Sequence, residues 1–135
     1  MADLVASSLK AYFTSLTATS NIVSEYGSTF TFGTNLFIGF EEDVDECLSL
    51  IPYGGEPPSK EGDRQNPAIQ IELKSASKAK ALKTMQSIIN ALHNNKSVCR
   101  GRIQARNSSP IMFGIREAGK STIVVSNYYI KHVKL

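Results

Sequence analysis

The stretch Gly114-Ile115-Arg116-Glu117-Ala118-Gly119-Lys120-Ser121-Thr122-Ile123-Val124-Val125-Ser126-Asn127-Tyr128-Tyr129-Ile130 decides between two folds. Its first eight residues satisfy the phosphate-loop pattern G-x-x-x-x-G-K-[ST]. That chemistry needs a strand before the loop, glycine N–H groups aimed at the phosphates, and a helix starting at the Lys and Ser. The residues after Lys120 are β-branched and aromatic instead, and such residues favour a strand. Only Ser121 to Leu135 follows, so a later strand carrying a magnesium-binding Asp is not expected. Glu117-Ala118-Gly119-Lys120 therefore reads as a hairpin turn, with Gly119 supplying positive φ. No nucleotide or other cofactor is expected.

The strand that follows is apolar on both faces. Ile123, Val125, Tyr129 and Val133 alternate onto one, while Val124, Tyr128 and Ile130 fall on the other. A strand of this kind must be covered on both sides or meet a neighbouring chain. Ile111 to Glu117 reads as its hairpin partner, and Val98 to Ala105 as a further strand. Before them lies the clearest helix: Leu82, Met85, Ile88, Ile89 and Leu92 form one stripe. Ser75 or Ser77 caps its start, and Asn94-Asn95 supplies a left-handed stop. The stripe is expected to cover the sheet.

Toward the N-terminus, Ala68 to Leu73 alternates with Ile69, Ile71 and Leu73 facing one way. Asn35 to Phe40 and Glu46 to Tyr53 read as two strands joined by the acidic turn 41–45, a hairpin. Pro52 lacks an N–H and belongs at a strand end or an edge. Residues 54–66 read as a loop, and 17–34, rich in Ser, Thr and Gly, as an extended connection. Leu4, Val5, Leu9, Tyr12, Phe13 and Leu16 recur at helical spacing after Asp3, a residue suited to a helix start. The order helix, hairpin, strand, helix, strand, hairpin gives an α+β fold. We expect one domain over 1–135: a small, mostly antiparallel twisted sheet packed by an N-terminal helix and a central amphipathic helix.

Composition narrows the function. With 135 residues, 41% hydrophobic and 20% charged, the chain suits a single core and is too apolar for disorder. No apolar run approaches the roughly 20 residues of a membrane span. Met1-Ala2-Asp3-Leu4 lacks the basic flank and apolar core of a signal peptide, so an intracellular product with no membrane partner is expected. Cys47, Cys99, His93 and His132 lie too far apart in sequence for a recognisable zinc pattern, and each cysteine reads as a small buried hydrophobe. Every acid except Glu72 falls in a segment expected to be exposed, and no Ser-His-Asp, Cys-His or paired-carboxylate arrangement stands out. We expect no enzyme, no catalytic residue and no metal site.

The charges are segregated, although the net charge is only +3. Acids cluster in 41–46 and 56–63, whereas Lys74, Lys78, Lys80 and Lys83 flank or ride the central helix. That division suits complementary contacts between copies in a symmetric assembly. The candidate assembly residues are Glu41, Glu42, Asp43, Asp45, Gly54, Gly55, Glu56, Lys60, Arg64, Lys78, Lys80 and Lys83. A small nucleic-acid-binding domain is the alternative reading, but it wants aromatics interleaved with basic residues, and the lysine-rich helix has none.

Several pieces in order resemble a known family: Phe37-Ile38-Gly39, then Asp45-Glu46-Cys47-Leu48-Ser49-Leu50, Gly54-Gly55-Glu56-Pro57-Pro58, Asn66-Pro67-Ala68-Ile69-Gln70-Ile71 and Ala91-Leu92-His93. Ser109-Pro110-Ile111-Met112-Phe113-Gly114-Ile115-Arg116-Glu117, a glycine turn and a long final strand complete them. Together, from about Asn35 to Val133, they resemble the minor capsid and tail-terminator proteins of long-tailed bacteriophages. Where that family commonly has a proline before the acidic turn, this chain has Glu41-Glu42. The stretch 17–34 has no counterpart in the resemblance. It implies a structural virion protein of the tail or neck, assembled in the host cytoplasm. It further implies a homohexameric ring that caps the tail tube, stops its polymerisation and joins it to the head connector. The implied partners are other copies of itself, the tail tube protein and a head-completion or connector protein, with DNA only passing through the lumen. A head-completion or neck protein of the same class is the nearest alternative.

Overall fold

In the computed structural model the long β-rich run is a strand held between neighbours on both sides. The elements run α1 (Ala2–Phe13), α2 (Leu16–Tyr26), β1 (Leu36–Ile38), β2 (Cys47–Glu56), β3 (Arg64–Ser75), α3 (Lys78–Leu92), β4 (Arg102–Ala105), β5 (Ile111–Arg116), β6 (Ser121–Lys131) and β7 (Val133–Lys134). The structure describes all residues except 1, 40–43, 45, 57–63, 100, 117–120, 132 and 135; side chains of 2–4, 16–19, 54–56, 64–66, 113–116 and 133–134 are also outside the description. The sheet order is β1-β2-β3-β6-β4, with β5 also on β6 and β7 on β3. Among the described strands every pairing is antiparallel except β1 with β2. The fold is α+β.

One side of this sheet carries the core. Leu48, Leu50, Ile69, Ile71, Leu73, Ile103, Val124, Tyr128 and Ile130 share a cluster with Val5, Leu9 and Phe13 of α1, Ile22 and Tyr26 of α2, and the α3 stripe. Helix α3 lies across β3 and β6, α1 across β2 and β3, and α2 packs on α3. The cap works as the sequence suggests: Ser77 accepts the Lys80 N–H at 3.2 Å, and Asn94 stops the helix with φ of 64°. Ala81 and Thr84 join the buried stripe, and Leu82 sits at its margin.

Four expectations need correction. Residues 16–26 are a helix, not an extended connection. Ile22 and Tyr26, one turn apart, are both buried, and this contact outweighs the weak helix propensity of the Ser and Thr residues around them. Gly27, at φ 92°, ends the helix by giving its N–H to the Val23 carbonyl.

The two N-terminal strands are not a hairpin. They run parallel, Leu36 beside Leu48 and Ile38 beside Leu50. Gly39, at φ 93°, donates to the Leu50 carbonyl and turns the chain out of the sheet, so that it restarts in the same direction. Parallel pairs usually need a longer crossover. Because β1 has only three residues, the return path is about 10 Å.

The expected loop 54–66 is shorter, since Gly54, Gly55 and Glu56 belong to β2 and Arg64, Gln65 and Asn66 to β3, with Glu56 opposite Asn66. Residues 57–63 lie outside the described part. Pro52 falls past the end of β1, where the outer side of β2 is an edge, as its missing N–H requires. Finally, the strand expected from Val98 begins only at Arg102. The Asn95 side chain accepts from the N–H groups of Ser97 and Val98 at 2.8 and 3.1 Å and bends the chain there.

Candidate assembly interface

The two faces of the sheet differ in kind. Opposite the core lie Cys47, Ser49, Ile51 and Tyr53 of β2, Ala68, Gln70, Glu72 and Lys74 of β3, and Ile123, Val125, Asn127, Tyr129 and Lys131 of β6, by strand alternation and register. Among the described residues no helix covers this face. Both faces of β6 are nonetheless well occupied: Val124, Tyr128 and Ile130 are buried on the helix side and Val125 on the other.

This second face mixes polar with apolar residues where it is buried: Ser49, Glu72 and Lys74 beside Cys47, Ala68 and Val125. Ser49 and Glu72 stand directly opposite each other, and among the described residues neither Ser49 Oγ nor Glu72 Oε1 has a hydrogen-bond partner. Burial pushes the Glu72 carboxyl above the usual carboxylate range, with the Lys74 charge opposing the shift. The sequence reading set Glu72 apart from the exposed acids, and the structure leaves it only 4% exposed. At one end of the same face, the Arg106 guanidinium lies 4.5 Å and the Lys131 ammonium 5.0 Å from the centre of the Tyr129 ring. Arg102 stands opposite Lys131, and Gln104 opposite Tyr129. Basic residues and an aromatic do interleave, then, but on β4, the residue after it and β6 rather than on the lysine-rich helix.

The candidates named from sequence are scattered. Lys78 and Lys83 are exposed on α3. Lys80 is engaged within the chain: its ammonium donates to Glu46 Oε2 at 2.8 Å and lies 4.7 Å from the Tyr26 ring centre. The Ala76 N–H and the Ser75 hydroxyl donate to the other Glu46 oxygen, each at 3.1 Å. Partial burial opposes the charge, yet these three donors hold the Glu46 carboxyl below its usual range. Glu46 thus ties the start of β2 to the start of α3. Gly54, Gly55, Glu56 and Arg64 lie in strands, with Arg64 opposite Lys134. Glu41, Glu42, Asp43, Asp45 and Lys60 lie outside the described residues.

The phosphate-loop match is split between strands. Gly114 to Arg116 belongs to β5, and Ser121 opens β6 rather than a helix, with Arg116 paired to Ser121 across the connection. Residues 117–120, read as the turn, lie outside the described part. Among the described residues no group of three His, Cys, Asp or Glu is placed to hold a metal. Burial pushes the Cys99 thiol up to about 11, which leaves it an inert small hydrophobe. A cleft of about 410 Å³ between α3 and β4 is lined by Ile89, Asn90, His93, Ala105, Arg106, Asn107 and Ser108. The Ala105 N–H donates to His93 Nδ1 at 3.0 Å, so the ring serves the backbone of β4.

Family comparison gives this surface its context. The model of the family described as bacteriophage tail terminator protein matches residues 19–130. The chain belongs to the bacteriophage tail terminator family. The match begins inside α2 and ends in β6, so most of the helix missed in the sequence reading lies within the family region. Comparison with curated proteins finds no match. Membership makes the chain a structural component of a phage tail, hence of the virion, in a family that is structural rather than catalytic. No described helix is long and apolar enough to cross a membrane.

The sequence reading missed the exposed apolar residues, chiefly Phe32, Ile38, Ile111 and Met112. Single apolar residues in short strands carry no periodic signal that separates them from core. Arg102, Gln104 and Arg106 were findable, since their two-residue spacing puts polar groups on one face of a short strand.

Proposed function

We propose that this terminator forms a closed ring of identical subunits, a hexamer, that caps the tail tube, stops its polymerisation and presents its far side to the head connector. One observation carries the reading: a central strand apolar on both faces, with helices on one side only. A ring supplies neighbours for the surface that the subunit's own helices leave over, and it does so without open polymerisation. The tube protein is the partner on one side and a head-completion or connector protein on the other. DNA passes through the lumen without being gripped. The exposed Lys78 and Lys83 and the acids at 41–45 are the charged groups proposed to set register. Images of the purified protein, alone and with tubes, should show rings and tubes of uniform length. Phage lacking it should make tails of uncontrolled length that fail to join heads. A persistent monomer that neither binds tubes nor alters their length sinks the assignment.

A further inference from the structure

We propose that the surface formed by Arg102, Arg106 and Lys131 around the Tyr129 ring is a contact for the phosphate backbone of nucleic acid. The contact is a property of one subunit. From the ring reading it takes only the DNA that passes, so its failure would leave that reading untouched.

The sheet itself places the cations. Arg102 stands opposite Lys131, and Gln104 opposite Tyr129, in the β4–β6 register. Arg106 takes the next position of the same parity, where its backbone N–H donates to the Asn127 carbonyl at 2.9 Å. Alternation thus brings Arg102, Gln104 and Arg106 to one face, and all three are exposed. The Arg106 guanidinium and the Lys131 ammonium lie 4.5 and 5.0 Å from the centre of the Tyr129 ring. Stacking on a ring holds a guanidinium in place and leaves its in-plane N–H groups able to donate. The described acids are remote. Helix α3 and strands β4 and β6 contain no Asp or Glu. On this face the described acid is Glu72, opposite Val125, which lies four residues from Tyr129 along β6, or about 13 Å. Among the described residues the ion pair is Lys80 with Glu46, and no carboxylate pairs with Arg102 or Arg106.

The neighbouring groups choose the occupant. Gln104, Asn127 and the Tyr53 hydroxyl, 3.5 Å from Asn127 Oδ1, put neutral hydrogen-bonding groups on the same face as the cations. Arg, Lys, Asn, Gln and Tyr side chains are the groups that meet phosphate and sugar oxygens. An acidic protein would want a buried apolar centre inside its rim of charge. Apart from Tyr53, the exposed large apolar residues are Phe32, Ile38, Ile111 and Met112, and none belongs to β4 or β6. A polyanion needs no such centre. Backbone contacts carry no sequence reading, and a few per subunit are loose at physiological salt, so a strand is guided without being arrested.

The test is the affinity of the intact chain for a short random-sequence DNA duplex, read by fluorescence anisotropy from about 50 to 200 mM salt. With three phosphates met per subunit, affinity should fall roughly 30-fold over that range. Arg102→Gln and Arg106→Gln should each weaken binding about threefold or more at the low end. Each should also flatten the plot of log affinity against log salt by about 0.9 per subunit in contact. Lys78→Gln and Lys83→Gln remove the same charge from exposed positions on α3 and should leave both readings unchanged. Thermal unfolding checks that every variant is folded. Equal losses from the α3 variants would overturn the assignment, since net charge rather than placement would then be at work. No binding by the parent at the lowest salt, or binding indifferent to both arginines, would overturn it as well. Poly-glutamate that displaces the duplex at equal charge concentration would overturn the choice of phosphate in favour of an acidic protein.

Discussion

The two faces of the sheet use the same strands to different ends. On the helix side, Leu50, Ile71, Val124 and Tyr128 meet the α3 stripe in an apolar layer, relieved only by small groups such as Ser126, whose hydroxyl lies 2.8 Å from that of Tyr128 and 3.1 Å from Met85 Sδ. On the other side the buried positions include Ser49, Glu72 and Lys74, and the margins carry Tyr53, Ile111 and the Arg106–Tyr129–Lys131 stack. Ser49 Oγ and Glu72 Oε1 are buried there without a hydrogen-bond partner among the described residues, and burying polar groups in this way costs stability. The lesson is a contrast: one face holds the subunit together, and none of the described helices covers the other.

The strongest way to break that comparison is to make the same substitution on each face. Ile71→Ala opens a cavity in the core and should cost about 2–5 kcal/mol. Ile123→Ala, on the half-buried opposite face, should cost under about 1 kcal/mol in the subunit, from the smaller area removed from water. Urea unfolding of both variants measures the difference directly. Equal losses would show that the faces contribute alike to folding, and the contrast would fail.

The next effect comes from a close backbone approach. A Cβ at Gly101 would run into the Lys131 carbonyl, a backbone atom that cannot swing aside. Gly101→Ala should therefore cost about 1–3 kcal/mol, an overpacking penalty, although Gly101 is not fully buried. Thermal unfolding should show the loss. A neutral result would mean that the end of β4 lifts easily from β6, so that this corner of the sheet is not a rigid edge.

Glu72 sharpens the comparison through pH. Its folded-state pKa is raised by burial, so the folded state holds the proton more tightly than the unfolded state does. The sign follows: its contribution to stability is full below the unfolded value near 4.3 and declines as pH rises through the folded value. Glu72→Gln removes that dependence. At pH 7–8 the variant should be as stable as the parent or more so, and any gain should shrink as pH falls toward the unfolded value. Stability lost at neutral pH would mean instead that the charge of Glu72 is needed beside Lys74.

Much of this fold was legible because its largest signals are periodic. The stripe of α3, the alternation in β3 and the β-branched run of β6 each repeat often enough to name their own geometry. The run after Lys120 settled the phosphate-loop question for the same reason: its residue types oppose a helix, and β6 stands there. What escaped was set by single tertiary contacts. Helix α2 depends on Ile22 and Tyr26 finding a shared core, and the parallel β1–β2 pair depends on Gly39 turning the chain outward. A hairpin and a short parallel return have the same local pattern of two apolar runs around a polar turn. At the interface, charge segregation was readable and the exposed edge residues were not, since exposure at a sheet margin is a property of topology.

The smallest expected effect belongs to the Glu46–Lys80 pair, which joins the start of β2 to the start of α3 on the folding side of the molecule. Its side chains are about a third exposed, 39% for Glu46 and 31% for Lys80, so solvent screens their attraction. Pairs of this kind are worth about 0–1 kcal/mol. Lys80→Met keeps the aliphatic stem and removes the charge, leaving Glu46 with the Ala76 N–H and the Ser75 hydroxyl. Because the Glu46 carboxyl is held below its usual range, its contribution is present above the unfolded value and is lost as pH falls through the folded one. Urea midpoints at pH 7 should therefore differ slightly between Lys80→Met and the parent, and the difference should shrink as pH falls through the folded value. A difference that persists at acid pH would assign the loss to the contact of the Lys80 ammonium with the Tyr26 ring. Ring assembly should survive the change, since this ammonium is already spent inside the subunit.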